Sequence, residues 1–262
     1  MLITNGSVKQ IIRRYLVLEN NNLYLGDCLD IMDNITDSSI DLIITDLPYA
    51  QTKESWDCLI PYDSLWDCYN RVIKDNGAII LFGQEPFSSN LRLSNKEMYR
   101  YDIYWEKERA TNIFQIKKRP GKVIETISVF YKSQPTYNPQ MIKYEGPKRT
   151  NKIKNGKLGK LIDSGNKKPK EYKDTGFRYP LQIVKFKRDI LTSNLHPTQK
   201  PVDLLKYLIL TYSNTGDTIL DSCMGSGSTG IACLHTGRNF IGIEKEEKYY
   251  NIAKERFENE KC

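Results

Sequence analysis

The feature that most constrains the fold is a glycine-rich turn between an apolar strand and a helix. Residues 217–221 predict a buried strand, and Gly225, Gly227 and Gly230 follow before a helix that runs through His235. Glycine tolerates the positive backbone angles that a tight strand-to-helix turn requires. The pattern therefore predicts a strand–turn–helix unit, the building block of α/β sheets.

The rest of the chain repeats this alternation. Strands are predicted at residues 23–25, 40–45, 78–82, 101–105, 127–131 and 240–244. Helices are predicted at residues 28–32, 62–73, 202–212 and 249–257, with a turn at 74–77. This order is typical of a doubly wound, mostly parallel sheet with helices on both faces.

The glycine turn also indicates a nucleotide-type cofactor. Glu244 ends the next predicted strand, where a carboxylate can bind ribose hydroxyls. Asp221 leads into the turn, where it would repel a pyrophosphate but suits a cofactor bearing an ammonium and a sulfonium, as S-adenosylmethionine (SAM) does. Asp27, at another strand end, is either a plain turn residue or a contact to the adenine of the cofactor. A tight turn without any ligand is the alternative for the glycines.

A second motif follows the apolar run 40–45 and consists of Asp46, Leu47, Pro48 and Tyr49. Pro48 fixes its own φ and lacks an N–H, so the carbonyl before it is left to accept a hydrogen bond. Asp46 and that carbonyl can accept hydrogen bonds from an exocyclic amino group, while the Tyr49 ring can stack on a flat substrate. The motif predicts a planar, amine-bearing substrate, for which a nucleobase is the obvious candidate.

The basic residues are concentrated in one stretch. Residues 141–195 contain 15 Lys or Arg against 5 Asp or Glu, whereas the remaining chain contains 24 against 27. Interleaved aromatic residues favour a folded module that binds phosphates over a solvated surface insertion. We therefore expect a nucleic-acid partner.

Other classes of protein fit the sequence poorly. Six cysteines without a C-x-x-C pair and only two histidines make a zinc site improbable, so no metal ligand is predicted. No apolar run approaches the roughly 20 residues of a membrane span, and residues 1–22 lack a secretory signal. We expect a cytoplasmic protein with reduced cysteines and no membrane partner.

With these motifs in hand, the chain resembles the β class of DNA amino-methyltransferases, in which the catalytic motif precedes the target-recognition region and the cofactor loop comes last. The resemblance covers nearly the whole chain. It implies an α/β fold, a Rossmann-like SAM-dependent methyltransferase sheet of seven strands, circularly permuted, with an inserted basic target-recognition region. Residues 1–140 would form the catalytic half, 141–195 the insertion, and 196–262 the cofactor-binding half of the same domain.

The resemblance also implies roles for residues. The catalytic motif, normally Asp-Pro-Pro-Tyr, is carried by Asp46, Pro48 and Tyr49, with Leu47 in place of the first proline. The cofactor loop normally begins Asp-Pro-Phe, whereas Ser222 and Cys223 stand here. The residues expected to bind the cofactor are Asp27, Asp46, His196, Lys200, Asp221, Gly225, Gly227 and Glu244, and among them Lys200 matches the motif that faces the methionine carboxylate.

The resemblance implies methyl transfer from SAM to the N6 amino group of a flipped-out adenine in double-stranded DNA. Adenine is favoured over cytosine N4 because the motif begins with Asp rather than Ser. The alternatives are cytosine N4, an RNA or protein amine, an NAD(P)-dependent oxidoreductase and a DNA-binding relative without activity. A homodimer, a cognate restriction endonuclease and a bacterial or phage genome are compatible with the same resemblance.

Overall fold

The computed structural model describes residues 19, 21–51, 57–146, 174–189 and 199–261. These residues divide into two compact units, a larger one within residues 1–138 and 182–262 and a smaller one within 139–181. Within the described ranges, none of the helices combines the length and the apolar character that crossing a membrane requires.

The larger unit is built on one sheet of eight described strands. The strands are β1 (Asn22–Leu25), β2 (Ile40–Thr45), β3 (Ile73–Gly83), β4 (Tyr99–Glu106), β5 (Ile124–Phe130), β8 (Ile183–Lys185), β9 (Thr218–Asp221) and β10 (Asn239–Glu244). Their order across the sheet is β1-β10-β9-β2-β3-β5-β4-β8. Only β5 runs antiparallel to its neighbours, so the sheet is mostly parallel, as predicted.

Six α-helices accompany these strands in the described residues. They are α1 (Cys28–Met32), α2 (Tyr62–Val72), α3 (Phe87–Ser94), α4 (Val202–Tyr212), α5 (Ser228–Thr236) and α6 (Glu247–Lys261). A short 3-10 helix, Ile113–Gln115, lies between β4 and β5. The sequence predicted every one of these α-helices except α3, although Phe87 and Leu91, four positions apart, are both buried on it.

The core lies on both faces of the sheet. Leu42 and Ile44 belong to one apolar cluster, which includes residues of α4, α5 and α6. Ile43, between them, belongs to a second cluster with residues of α2 and α3. Because successive strand residues point to opposite faces, an unbroken apolar run is what a strand covered on both sides requires.

The parallel direction of the strands determines where functional groups gather. The carboxyl ends of β1, β2, β3, β9 and β10 lie along one edge of the sheet, because these five strands pair in parallel. In open α/β sheets, ligands bind in the crevice at this edge. The pairing of β1 with β10 also makes the first and last described strands neighbours, in agreement with the predicted circular permutation.

Two details differ from the sequence prediction. The predicted turn at 74–77 lies within β3, at a shift in the register with β2: Ile40 pairs with Ile73, and Leu42 pairs with Ala78. The resemblance implied seven strands, whereas eight are described. The additional strand is β8, which pairs in parallel with β4 at the end of the sheet.

The smaller unit contains a two-stranded antiparallel sheet, β6 (Ile142–Lys143) with β7 (Phe177–Arg178). Arg178 pairs with the Asp174 carboxylate, with a nitrogen–oxygen distance of 2.8 Å. The Arg178 guanidinium also lies over the Tyr144 ring, 4.2 Å from its centroid.

Candidate active site

A cavity of about 390 Å³ opens at the carboxyl edge of the sheet, among the loops that follow β1, β2, β3, β9 and β10. Eight of the residues predicted from sequence line it, namely Asp27, Asp46, Pro48, Tyr49, Lys200, Asp221, Gly225 and Glu244. His196 lies outside the described residues. Thus the two motifs, separated by about 175 positions in the sequence, line one cavity.

The segment that follows β2 is held in place by its flanks. Leu47, which replaces a proline of the family motif, is 4% exposed and packs in the core beneath the cavity. Beyond Tyr49, the backbone N–H groups of Ala50 and Gln51 donate to the two carboxylate oxygens of Asp57, both at 2.8 Å. Ala50 has a positive φ of 52°, which non-glycine residues rarely adopt. The hydrogen bonds to Asp57 help to hold Ala50 in this conformation.

Tyr49 lies between the Asp46 carboxylate and an aromatic neighbour. Its hydroxyl donates to Asp46 Oδ1, and its ring centroid lies 4.6 Å from that of Phe87, with 33° between the planes. Burial, followed by the charge of Asp46, raises the pKa of Tyr49 well above its ordinary value. The phenol therefore stays neutral and remains a donor near pH 7.

A chain of buried charges begins at Asp46. Its other oxygen, Oδ2, accepts from Lys200 Nζ, and the same ammonium lies 3.0 Å from Glu125 Oε1. Lys107 Nζ lies 2.5 Å from Glu125 Oε2. Two carboxylates and two ammoniums thus alternate, as buried charges require if each is to have an opposite neighbour.

The pKa shifts along this chain follow from burial and from the neighbouring charges. Burial raises the pKa of Asp46, against the opposing effect of Lys200. Burial acts to lower the pKa of Lys200, yet Asp46 and Glu125 raise it to about 12. Burial likewise opposes ionisation of Glu125, but Lys200 and Lys107 bring its pKa below the usual value. Lys200 and Glu125 are therefore charged over the whole physiological range.

The glycine turn after β9 is fixed by Glu244. Gly225 has a φ of +52°, and its N–H donates to Glu244 Oε2 at 2.8 Å. The other oxygen, Oε1, accepts from the N–H of Glu246 at 2.8 Å. Gly227 has a φ of +80°, and a Cβ there would lie 2.9 Å from the Cβ of Ala253. Gly227 therefore shapes the turn from behind, whereas Gly225 and Glu244 face the cavity.

Asp221 is buried at the start of the same turn. Its carboxylate accepts from the N–H of Cys223 at 3.1 Å and from the Thr229 hydroxyl at 2.5 Å. Burial raises its pKa to about 7, although these hydrogen bonds oppose the rise. A carboxyl group with this pKa gains stabilisation from a nearby cation, which favours its ionised form.

Ser222 and Cys223 replace two apolar residues of the family pattern, and the structure gives Ser222 a different task. The Ser222 hydroxyl lies 2.6 Å from the Tyr69 hydroxyl. Its backbone N–H donates to Thr45 Oγ1 at 3.2 Å. Ser222 therefore ties the turn after β9 to the end of β2 through buried hydrogen bonds.

Asp27 serves as the N-cap of α1. Its carboxylate accepts from the N–H of Leu29 at 3.0 Å and lies 3.2 Å from Lys245 Nζ. The capping hydrogen bond agrees with the interpretation of Asp27 as a turn residue. Asp27 also lines the cavity, so a cofactor bound there could still contact it.

The sequence reasoning missed three residues that organise this site, namely Asp57, Lys107 and Glu125. Glu125 carried a signal, since it is a charged residue within the apolar strand β5 and is only 3% exposed. Charged residues are almost never fully buried unless they are paired. Lys107 and Asp57 lie in polar segments and gave no signal of their own.

Comparison with known proteins places this geometry among DNA-modifying enzymes. The family model N6_N4_Mtase, described as DNA methylase, matches residues 40–255. The DNA adenine methyltransferase YhdJ of Escherichia coli (strain K12) is 29% identical over 255 residues, covering 92% of this chain and 83% of that protein. The type II methyltransferase M2.MboI of Moraxella bovis is 28% identical over 265 residues, covering 91% of this chain and 88% of that protein.

Solved structures agree. The M1.HpyAVI–SAM complex matches with a TM-score of 0.58 and 25% identity, covering 90% of this chain and 98% of that one. The cytosine-N4-specific PvuII DNA methyltransferase matches with a TM-score of 0.64 over 93% of this chain and 92% of that one. At 16% identity, this second likeness concerns the fold alone.

Proposed function

This chain belongs to the DNA methylase family of N6 and N4 methyltransferases, and from that premise we propose that it methylates the N6 amino group of adenine in double-stranded DNA, with SAM as the methyl donor. The observation that carries the proposal is the shared cavity, whose wall includes Asp46, Pro48 and Tyr49 together with the glycine turn. An amine-binding motif and a cofactor turn on one cavity are what direct methyl transfer requires.

The residues around the glycine turn fit SAM. Asp221 has a carboxyl pKa near 7 and would bind the ammonium of the cofactor's methionine moiety. Each Glu244 oxygen accepts one backbone N–H and keeps a lone pair for the ribose hydroxyls. SAM, when bound, supplies an electrophilic methyl group. Asp27 would contact the adenine of the cofactor. Lys200, together with His196, would lie at the methionine carboxylate.

On the substrate side, the chain's own groups would hold the adenine. Tyr49 would stack on the base, while Asp46 and the Leu47 carbonyl would accept the two amino hydrogens. In the structure Asp46 already accepts from Tyr49 and Lys200, and each carboxylate oxygen retains a further lone pair. Catalysis would come mainly from positioning and electrostatics. The amino group is paired inside a duplex, so the target base must leave the stack.

The basic stretch is the proposed target-recognition region. Residues 141–195 hold the excess of Lys and Arg, and the smaller unit exposes Phe177 and Tyr179 beside Arg178. Cations would bind phosphates, and exposed side chains would read base edges.

Two further proposals concern partners. One proposed partner is a cognate restriction endonuclease, which the type II methyltransferase M2.MboI among the relatives supports. Both proteins would act in the cytoplasm of a bacterium, encoded by its own genome or by a phage. A homodimer rests on the family resemblance alone, and sedimentation of the purified protein tests it.

The function is tested with methyl-labelled SAM, unmodified genomic DNA and nucleoside analysis. We expect label in N6-methyladenine, and sequencing of the product gives the site. For Asp46→Asn we expect the rate of methyl transfer to fall by a factor on the order of 10² or more, because the substitution weakens an interaction with the reacting amino group. Label in N4-methylcytosine would overturn the base assignment, and label in RNA or protein alone would overturn the substrate. An Asp46→Asn enzyme with the full rate would overturn the role of Asp46.

A further inference from the structure

The segment between β4 and β5 presents a large apolar surface to solvent. Ile113 is 66% exposed, Phe114 is fully exposed at 103%, and Ile116 is 53% exposed. We call residues 107–123 the tip loop. Contiguous exposed apolar side chains of this size mark a binding surface more often than an ordinary surface.

Hydrogen bonds across the tip loop hold it in a defined conformation. Asn112 Nδ2 donates to the Pro120 carbonyl at 3.1 Å, and Asn112 Oδ1 accepts from the N–H of Lys122 at 2.6 Å. The N–H of Thr111 donates to the Lys122 carbonyl at 3.0 Å. The 3-10 turn Ile113–Gln115 then carries Phe114 outward at its centre. The exposed ring is therefore presented by an ordered turn.

The base of the tip loop reaches the active-site wall. Lys122 Nζ donates to Gln84 Oε1 at 2.5 Å, and Gln84 lines the cavity. At the other end of the loop, Lys107 pairs with Glu125, which in turn lies 3.0 Å from Lys200. Since β4 runs parallel to β2 and β3, the tip loop leaves the sheet at the same edge as the catalytic motif.

The charge of the tip loop identifies the partner. The tip loop, residues 107–123, contains six cations and one carboxylate, Glu108. Lys117, Lys118 and Arg119 directly follow the apolar turn and are all exposed. An apolar wedge flanked by cations is the arrangement with which proteins unstack and hold a DNA duplex. A second copy of this chain would have to bury those cations without phosphates to pair with them.

We propose that Phe114 enters the base stack of the DNA duplex beside the target adenine, while Lys117, Lys118 and Arg119 bind the flanking phosphates. The inference rests on the proposed function and deepens it, since it assigns the element that opens the duplex. The ring fills the space that the extruded base leaves, which offsets the lost stacking.

Base extrusion is followed by fluorescence on duplexes that contain the site mapped by sequencing with 2-aminopurine in place of the target adenine. Methyl transfer is measured on the same duplexes with adenine at the target, because 2-aminopurine lacks the N6 amino group that accepts the methyl. We expect Phe114→Ala to abolish the fluorescence rise on binding and to lower kcat/KM on the order of 10- to 100-fold, because one stacked ring is removed. SAM affinity stays at the wild-type value, and Phe114→Trp retains activity. A mismatch at the target base restores the Phe114→Ala rate, because such a base is already easier to extrude.

The cationic part is tested separately. Replacing Lys117, Lys118 and Arg119 by Gln lowers the slope of log affinity against log salt by about one for each phosphate that is no longer bound. Leu93→Ala, which truncates a 60% exposed residue of α3, is the matched control and leaves fluorescence and rate unchanged.

Three results overturn the inference. The first is a Phe114→Ala enzyme that flips and methylates the duplex as the wild type does. The second is a variant whose defect persists equally on the mismatched duplex. The third is a Phe114→Ala protein that sediments differently from the wild type but gives the same 2-aminopurine fluorescence. That result would assign the tip loop to contact between copies of this chain. A wild-type protein that methylates no DNA would instead refute the proposed function.

Discussion

The ammonium of Lys200 lies 3.0 Å from Glu125 Oε1 while it also pairs with Asp46 Oδ2. One buried cation thus pairs with the Asp46 carboxylate, directly after β2, and with a second carboxylate on β5. Because Glu125 shares Lys200, Asp46 is left with an incompletely neutralised charge with which to accept hydrogen bonds from an amino group.

Glu125→Gln tests this arrangement. The variant leaves Lys107 and Lys200 with one carboxylate between them, so we expect a loss of about 3–5 kcal/mol in unfolding free energy, as for other broken buried pairs. Urea denaturation measures the loss. We expect kcat to fall as well, because Lys200 then neutralises Asp46 alone.

The matched control for Glu125→Gln is Glu106→Gln. Glu106 pairs with Lys185, which is 74% exposed, so this change stays within about 1 kcal/mol. In the Glu125→Gln background, Lys107→Met restores part of the stability because it removes the unpaired cation. Equal stability of the two glutamine variants would contradict the account.

SAM binding is predicted to depend on pH through Asp221. Burial raises the pKa of this carboxyl to about 7, so its ionised fraction grows as pH rises through 7. If only the ionised form binds the cofactor ammonium, affinity tightens on the order of tenfold between pH 6 and pH 8. Titration calorimetry at each pH measures the change. Asp221→Asn binds more weakly and loses the pH dependence, and an unchanged profile in this variant would exclude Asp221 as its origin.

Gly227→Ala and Gly216→Ala form a matched pair, because the two glycines have φ values of +80° and +86°. A Cβ at 216 meets nothing within 4 Å, whereas at 227 it lies 2.9 Å from the Cβ of Ala253. We expect both variants to lose about 1–2 kcal/mol from backbone strain. Gly227→Ala loses a further 1–3 kcal/mol or so from overpacking, and it alone weakens SAM binding. Similar losses in both variants would show that space behind the turn is unimportant.

Asp57→Ala is predicted to release the end of the catalytic motif. The carboxylate holds the N–H groups of Ala50 and Gln51, so its removal lets the Tyr49 backbone move. Displacements near 1 Å at reacting groups cost on the order of 10²-fold in rate. We expect kcat for methyl transfer to fall while SAM affinity is retained. Asp67→Ala, at an exposed position of α2, is the control, and equal rates for both would exclude the clamp.

The mostly parallel sheet and the two motifs at its strand ends could be expected from the sequence because each signal was local. Ile43 lies in an unbroken apolar run, and Asp46 and Asp221 each follow such a run. Parallel pairing brings strand ends together whatever residues lie between them. The resemblance then supplied the roles that the pattern alone left open.

The remaining features depend on contacts between distant parts of the chain. Glu125 meets Lys200 only because β5 and the segment before α4 converge, and no local pattern encodes that convergence. The 74–77 segment has turn residues and lies within β3 at an irregularity, where the pairing with β2 passes from Ile73 directly to Ala78. Ser222 stands where the family pattern has a proline, and its hydroxyl partner Tyr69 lies 153 positions away.

The link from Ser222 to Tyr69 and Thr45 has a consequence for the order of events. The cofactor turn and the end of β2, which precedes the catalytic motif, share these hydroxyl contacts, so we expect a shift in one to reach the other. Thermodynamic reciprocity then requires that SAM change the affinity for DNA by the same factor by which DNA changes the affinity for SAM. If each ligand strengthens binding of the other, DNA binds more weakly when SAM is absent. The enzyme would then seldom hold an extruded base without a methyl donor.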